Sequence, residues 1–527
     1  MIFPFILLIN IMFSQTHINY ELDINLSSNN QTISSESSFS SNSIMDIRNL
    51  NNEILFLGTN SGLSFIDLIS SNNYQYGHLN FINLPKGGNP ALCIRNNMIA
   101  LSGVIDTLVL GGYEAKVTGL SYSRDGGDTW FFLPQPIDSL PSENMDGYQT
   151  ISWGGQDLLS LSVTTEINNV SYDIAIDEKF IYTANWAGGI RRYNYLPTSD
   201  NLGKWEIIPL PRDEDIDLRC GEINSDTYSI NPKDPSDGGN HNHKGFSVYV
   251  VQDTLWAGTA SGINKGIILD NGCIDWVQHY KSGLDNISGN WVIGFVNQPL
   301  NGFNRLWAIT WATEYPEINA LSYTENGGST WKVSNPFGNN GGKVYDLHIY
   351  GNSIWASTEN GLYFSNNGQY WEKYSQFIDV ITGEKILSES VYSSYFLEEF
   401  ETLFIGTGDG MAIIDPESTE VIRFWEPANL FSVYPNPFLI NDYNQINSDG
   451  HVRFIYNNPN HKKGKIDIFD FSMDRVVQLT DYHFIGSESE IIWNGKNQYG
   501  AKVANGVYFC RLSLASKYYW TKLAVIN

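Results

Sequence analysis

One short phrase recurs seven times along the chain and constrains its fold more than any other feature. Leu55-Phe56-Leu57-Gly58-Thr59 returns as Leu255-Trp256-Ala257-Gly258-Thr259, Ile354-Trp355-Ala356-Ser357-Thr358 and Leu403-Phe404-Ile405-Gly406-Thr407. Looser copies lie at Ile99 to Gly103, Ile181 to Asn185 and Leu306 to Thr310. A short strand that repeatedly ends in a small-residue turn is the mark of a radial or stacked β architecture. Anchored on the fourth residue (Gly58, Ser102, Ala184, Gly258, Ile309, Ser357, Gly406), the gaps are 44, 82, 74, 51, 48 and 49 residues. Four gaps match one four-stranded blade of about 40–50 residues, and the two long ones leave room for a blade plus an insertion. The expected fold is all-β: a single β-propeller of seven blades, or eight if one is hidden between Ser102 and Ala184.

A second signal keeps step. After each later anchor comes a tryptophan in an alternating stretch: Trp130, Trp205, Trp276, Trp331, Trp371 and Trp425. Alternation suits a strand with one buried face. The aromatic ring then fills the wedge between blades, contributing about 1.5–3 kcal/mol each as an upper estimate.

Composition sets the outer limits. A chain of 527 residues exceeds one ordinary domain, and 14% aromatic content favours strands. The net charge of −26 disfavours nucleic acid and anionic membranes. Ile2 to Phe13 is an apolar run too short for a membrane span, and it reads as the core of a secretory signal. The expected division is a signal peptide over 1–15, a Ser/Asn-rich linker over 16–40, the propeller over 41–427 and a β-sandwich over 428–527. A strand near Glu21 to Leu26 is a candidate to complete the last blade. No segment is expected to span a membrane, and the protein is expected to be secreted or at the cell surface. Export permits disulfides. Among Cys93, Cys220, Cys273 and Cys510, the pair Cys220–Cys273 is the first to test, with unpaired thiols the alternative.

Sites are harder to read. Ser123 to Trp130 (SRDGGDTW) and Thr324 to Trp331 (TENGGSTW) are near copies, with a shorter version at Ser365 to Trp371. These phrases resemble the Asp-box, or bacterial neuraminidase repeat. The resemblance implies a structural hairpin turn in which Asp125 or Asn326 accepts from turn N–H groups. A sialidase is not supported, since its Phe/Tyr-Arg-Ile-Pro phrase is missing and Arg191-Arg192 would point to opposite faces. Acids at Asp213, Glu214, Asp215 and Asp217 are candidates for a glycosidase pair, which needs a defined separation. In Asn231 to Gly245, the side chains Asp234, Asp237, His241 and His243 are metal candidates, weighed against a hydrogen-bonded surface loop. No catalytic, cofactor-binding or metal residue is assigned, and no cofactor is expected.

The tail carries the fullest resemblance. Tyr434-Pro435-Asn436-Pro437-Phe438, Lys465 to Asp470, Trp493 to Gly500 and Val503 to Phe509 follow in order, with Thr521-Lys522-Leu523 near the end. This resembles the C-terminal sorting domain of type IX secretion cargo and the related Ig-like domain of hook-capping proteins. It implies that residues 428–527 engage the type IX secretion machinery. The closing phrase departs from the family pattern at Ser516 to Tyr519. The overall expectation is an exported, non-enzymatic propeller binding or scaffold protein with a glycan or protein ligand. The alternatives are an extracellular glycoside hydrolase acting on polysaccharide and a structural adhesin component.

Overall fold

The computed structural model describes residues 39–526, apart from segments 71–72, 110–111, 139–146, 197–202, 339–341, 382–384, 387, 417, 424–430, 441–450, 458–463, 481–483, 486–487 and 515–516. The expected signal peptide, the Glu21 to Leu26 strand, Trp425 and the Pro427 boundary lie outside the described residues. Phe39 and Ser40, counted above with the linker, pack on the first sheet: Phe39 is buried, and Ser40 N–H donates to Ser64 Oγ at 2.9 Å.

Seven antiparallel four-stranded sheets are each built from strands consecutive in sequence. Every copy of the recurring phrase falls in the second strand of one of them. Their first strands are Ile44–Leu50, Leu92–Arg95, Ser171–Ile176, Gly245–Val251, Trp291–Leu300, Val344–Tyr350 and Val391–Leu397. Each first strand touches the first strand of the next sheet, and the seventh touches the first. The sheets therefore stand radially around an axis in a propeller arrangement.

The core is divided accordingly. Seven separate apolar clusters lie between successive sheets, from Phe56 with Leu101 between the first two to Ile47 with Phe404 between the seventh and the first. Each described tryptophan of the periodic set sits in or against one of these clusters: Trp130, Trp276 and Trp331 are buried, and Trp205 and Trp371 are half-buried.

The phrase itself has a physical explanation. Its glycine lies where the next inner strand presses on the sheet. An added Cβ would sit 3.2 Å from Asn89 O at Gly58 and 2.9 Å from Ile44 O at Gly406. Its threonine closes the following turn: Thr59, Thr358 and Thr407 Oγ1 donate to the carbonyls of Gly62, Gly361 and Gly410 at 2.8, 2.7 and 2.7 Å.

The long gap after Ser102 holds a hairpin, Tyr148–Trp153 with Gln156–Leu161, extended by Ser229–Ile230 into a three-stranded sheet. Trp153 and Leu158 of this sheet pack on the cluster between the third and fourth sheets. In the second long gap, Cys220 forms a disulfide with Cys273 that ties this segment to the fourth sheet, while Cys93 and Cys510 are free.

After Ile422 a separate unit follows. A four-stranded and a five-stranded sheet share one core that includes Phe438, Phe454, Trp493 and Leu512. Its strands among the described residues are Phe431–Tyr434, Phe438–Leu439, Val452–Asn457, Lys465–Phe469, Arg475–Thr480, Phe484–Ile485, Glu488–Trp493, Gly506–Leu514 and Lys517–Ile526. The helical elements among the described residues are three single 3₁₀ turns. No helix among these residues is long and apolar enough to cross a membrane.

Candidate functional site at the axis

The inner strands share a local irregularity. Six of them shift register near their start, at Ile44/Asp46, Ser171/Asp173, Gly245/Ser247, Val292/Gly294, Val344/Asp346 and Val391/Ser393. Such bulges re-aim a side chain. The second residue of each pair lies opposite the anchor of the recurring phrase, as in Asp46 with Gly58, Asp173 with Ala184 and Asp346 with Ser357. From there Asp46, Asp173, Ser247 and Asp346 reach the neighbouring inner strand. Asp173 Oδ2 accepts from Val248 N–H at 2.9 Å, and Ser247 Oγ donates to Val292 O at 2.7 Å. Asp46 and Asp346 accept likewise from the N–H groups of Leu92 and Ser394. Three aspartates thus lace adjacent sheets together around the axis.

They border a cavity of about 680 Å³ between the inner strands, lined in part by Tyr172, Phe295, Tyr345 and His348. Arg48 supplies its central cation: Nη1 lies 3.0 Å from Asp46 Oδ1 and Nη2 lies 3.8 Å from Asp346 Oδ1. The Arg48 side chain is 38% exposed and lines the cavity. Burial raises the Asp46 carboxyl despite Arg48, and pushes Asp173 and Asp346 each up to about 7. Burial pushes His348 down to about 3, with Arg48 acting in the same direction. Burial pushes the Cys93 thiol up to about 12, which disfavours its thiolate form. The lining therefore combines aromatic rings with a carboxylate pair on one guanidinium, chemistry suited to a small polar or cationic ligand.

The residues singled out from sequence lie elsewhere. Asp125 accepts from Thr129 N–H at 2.9 Å and Thr129 Oγ1 at 2.6 Å, while Trp130 Nε1 donates back to Gly127 O at 2.9 Å. Asn326 repeats the turn, accepting from Thr330 N–H at 2.9 Å. Glycine is required here, with φ of 76° and 103° at Gly126 and Gly127. Arg191 and Arg192 do point apart, Arg191 to buried Asp138 at 2.7 Å and Arg192 to Glu206 at 2.6 Å.

The acidic insertion is engaged in local structure. Asp213 accepts from His241 and Asn242 N–H groups at 2.9 and 2.7 Å, Asp215 pairs with Arg212 at 2.7 Å, and Asp217 pairs with Arg219 at 3.2 Å. His243 is buried, with Nδ1 accepting from Asn231 N–H at 2.9 Å and Nε2 against Leu210 O at 3.1 Å; burial lowers its pKa to about 4. His241 Nε2 lies 3.5 Å from Asp234 Oδ2. No group of three or more metal-ligating side chains is brought together among the described residues. The axial aspartates escaped sequence reading because each sits outside the recurring phrase. Their signal was a polar residue opposite the anchors Gly58, Ala184, Gly258, Ser357 and Gly406, visible only once strands are paired.

No protein-family model matches the chain, and no curated protein matches it. Among solved structures, the WD40 propeller domain of Doa1 shares 8% identity, covering 72% of this chain and 94% of its own, with a TM-score of 0.39. YCF48 from Cyanidioschyzon merolae shares 12%, covering 72% and 98%, with a TM-score of 0.38. PorZ, a surface component of the type IX secretion system of Porphyromonas gingivalis, shares 12%, covering 93% and 100%, with a TM-score of 0.17. At these values the likenesses carry no functional argument, and the propeller arrangement rests on sheet order and packing.

Proposed function

We propose that the chain is an exported, non-enzymatic binding protein: a seven-bladed propeller that takes a glycan or protein ligand, followed by an Ig-like domain that directs secretion. The carrying observation is the cycle of seven sheets around the axial cavity, whose three aspartates are committed to hydrogen bonds between neighbours. Such a ring presents a rigid scaffold with a preformed central recess. The disulfide supports residence in an oxidising compartment. The ordered tail phrases support the secretion role, and the turn hydrogen bonds of Asp125 and Asn326 support the Asp-box reading.

A glycan and protein array probed with the full chain tests the binding role. A ligand whose signal is lost in Tyr345→Ala supports axial binding; an empty array, or a signal indifferent to that substitution, counts against it. Secretion of the full chain compared with a chain ending at Pro427 tests the tail, and equal export defeats the sorting role.

A second reading has one observation in its favour. Asp46 and Asp346 flank the same guanidinium at a cavity, and Asp346 is raised to about 7, an arrangement that also suits acid–base hydrolysis of a glycoside. Release of reducing ends from polysaccharide, abolished in Asp346→Asn, would establish it. A full chain that releases none would remove it.

A further inference from the structure

The charge of this chain is split unevenly. Residues 428–527 hold eight acidic and ten basic side chains, net +2, against 49 and 21, net −28, in the first 427. Part of that positive charge is gathered on one surface of the C-terminal unit. In its five-stranded sheet, Ile466, Ile468, Leu512 and Leu523 point into the core between the two sheets. The alternate residues of the same strands face outward.

Strand pairing sets these residues in rows. Asp467, Arg511 and Trp520 are direct neighbours across three strands, as are Phe469, Phe509 and Lys522 in the next row. Tyr518 pairs with Ser513, which pairs with Lys465. Tyr518 is 65% exposed and Trp520 49%, so no other described residue covers them.

The face is ordered by its own contacts. Asp467 is buried and accepts from Arg511 Nη2 at 2.7 Å, with Arg475 at 3.6 Å; these partners outweigh its burial and hold its carboxyl below the usual range. The Arg511 guanidinium lies 5.1, 5.2 and 5.6 Å from the ring centres of Phe469, Tyr518 and Trp520. This stacking fixes the rings against the sheet. The acid in these rows is thus occupied by two arginines, while exposed Lys465 and Lys522 of the same face make no ion pair among the described residues.

We propose that this outer face binds an anionic polysaccharide, with sugar rings laid on Trp520 and Tyr518 and carboxylate or phosphate groups paired with Lys465 and Lys522. An aromatic platform alone would suit a neutral glycan. The unpaired lysines beside it select a charged one. A single glycan strand can lie along this narrow basic face. An extended anionic bilayer would also meet the −28 of the remaining chain, because screening extends only about 8 Å at physiological salt. The inference is independent of both the axial ligand and the sorting role.

The test applies the full chain to immobilised alginate, polygalacturonate and phosphomannan, with neutral dextran and phosphatidylserine vesicles as comparisons. Retention is expected on at least one anionic glycan and not on dextran. Carboxylated and phosphorylated supports separate the two sources of charge. The double substitution Tyr518→Ala with Trp520→Ala is expected to weaken that binding by at least about tenfold. The double substitution Lys465→Gln with Lys522→Gln is expected to weaken it and flatten its salt dependence. All four side chains are exposed, and an unchanged melting temperature checks that folding is intact. Tyr345→Ala should leave this binding untouched, which separates it from an axial ligand. Retention on none of the anionic glycans, equal retention on dextran, binding that survives both sets of substitutions, or binding to vesicles alone would overturn the proposal.

Discussion

Arg453 of the C-terminal unit donates to Asp409 of the seventh sheet at 2.7 Å, with both side chains buried. Asp409 occupies the turn after the recurring phrase. Its N–H donates to Thr407 Oγ1 at 3.0 Å, just as Ser61 and Asn360 N–H groups donate to Thr59 and Thr358. In this one repeat the turn residue is acidic and holds two arginines: Arg423 lies 3.6 Å from the same carboxylate. Arg453 also donates to Lys385 O at 3.3 Å. The C-terminal unit is therefore docked on the ring by a buried ionic cluster.

Removing the acid leaves two guanidinium groups facing each other out of water. Asp409→Ala is expected to destabilise the protein by about 3–5 kcal/mol. The double variant Asp409→Leu with Arg453→Met should lose less than the two single variants combined. Urea unfolding of the four proteins measures the coupling, and an Asp409→Ala variant as stable as the parent would refute the latch.

The axial aspartates make stability depend on pH. Burial raises Asp173 to about 7, above its ordinary value of 3.8. A carboxyl that holds its proton more tightly when folded contributes stability below pH 3.8, and that contribution is lost as pH rises through 7. The slope is at most about 1.4 kcal/mol per pH unit for one group. Asp173→Asn should remove its share of the slope between pH 4 and 7, read from urea midpoints at several pH values. An identical slope in the variant would contradict the assignment.

The wedge tryptophans should differ in their weight. Trp276 is 1% exposed and its Nε1 donates to Pro209 O at 2.6 Å. Trp276→Ala is expected to cost about 3–5 kcal/mol. Trp371 is half-buried, so Trp371→Ala should cost clearly less. Equal losses in denaturant unfolding would argue against the packing order described.

The Cys220–Cys273 bridge closes a loop of 53 residues. Loop-closure entropy puts its contribution at about 4 kcal/mol. The double Ser variant should melt lower, and mass spectrometry of the unreduced protein should find both thiols blocked from alkylation. A fully alkylatable pair in exported protein would disprove the bridge.

Much of the architecture is legible in the amino-acid order alone. The recurring phrase placed every second strand because a glycine under a neighbouring backbone and a threonine closing a turn are local requirements. The tryptophans announced the wedges for the same reason. The candidate site was less legible. Asp46, Asp173 and Asp346 are isolated aspartates in sequence, and neither their lacing role nor their shared cavity follows from spacing. The acidic run Asp213 to Asp217 drew attention by density, yet Asp213, Asp215 and Asp217 each bind a neighbouring backbone group or arginine.

The sequence by itself determined the strand periodicity, the small-residue turns, the wedge aromatics and the all-β class, since each is a constraint between residues close along the chain. Only the tertiary structure decided the closure of the seventh sheet on the first, the meeting of Arg48 with Asp346, and the burial of Arg453 against Asp409. Those contacts join residues far apart in sequence. Their energy depends on a dielectric environment and a geometry that exist only once the sheets have assembled.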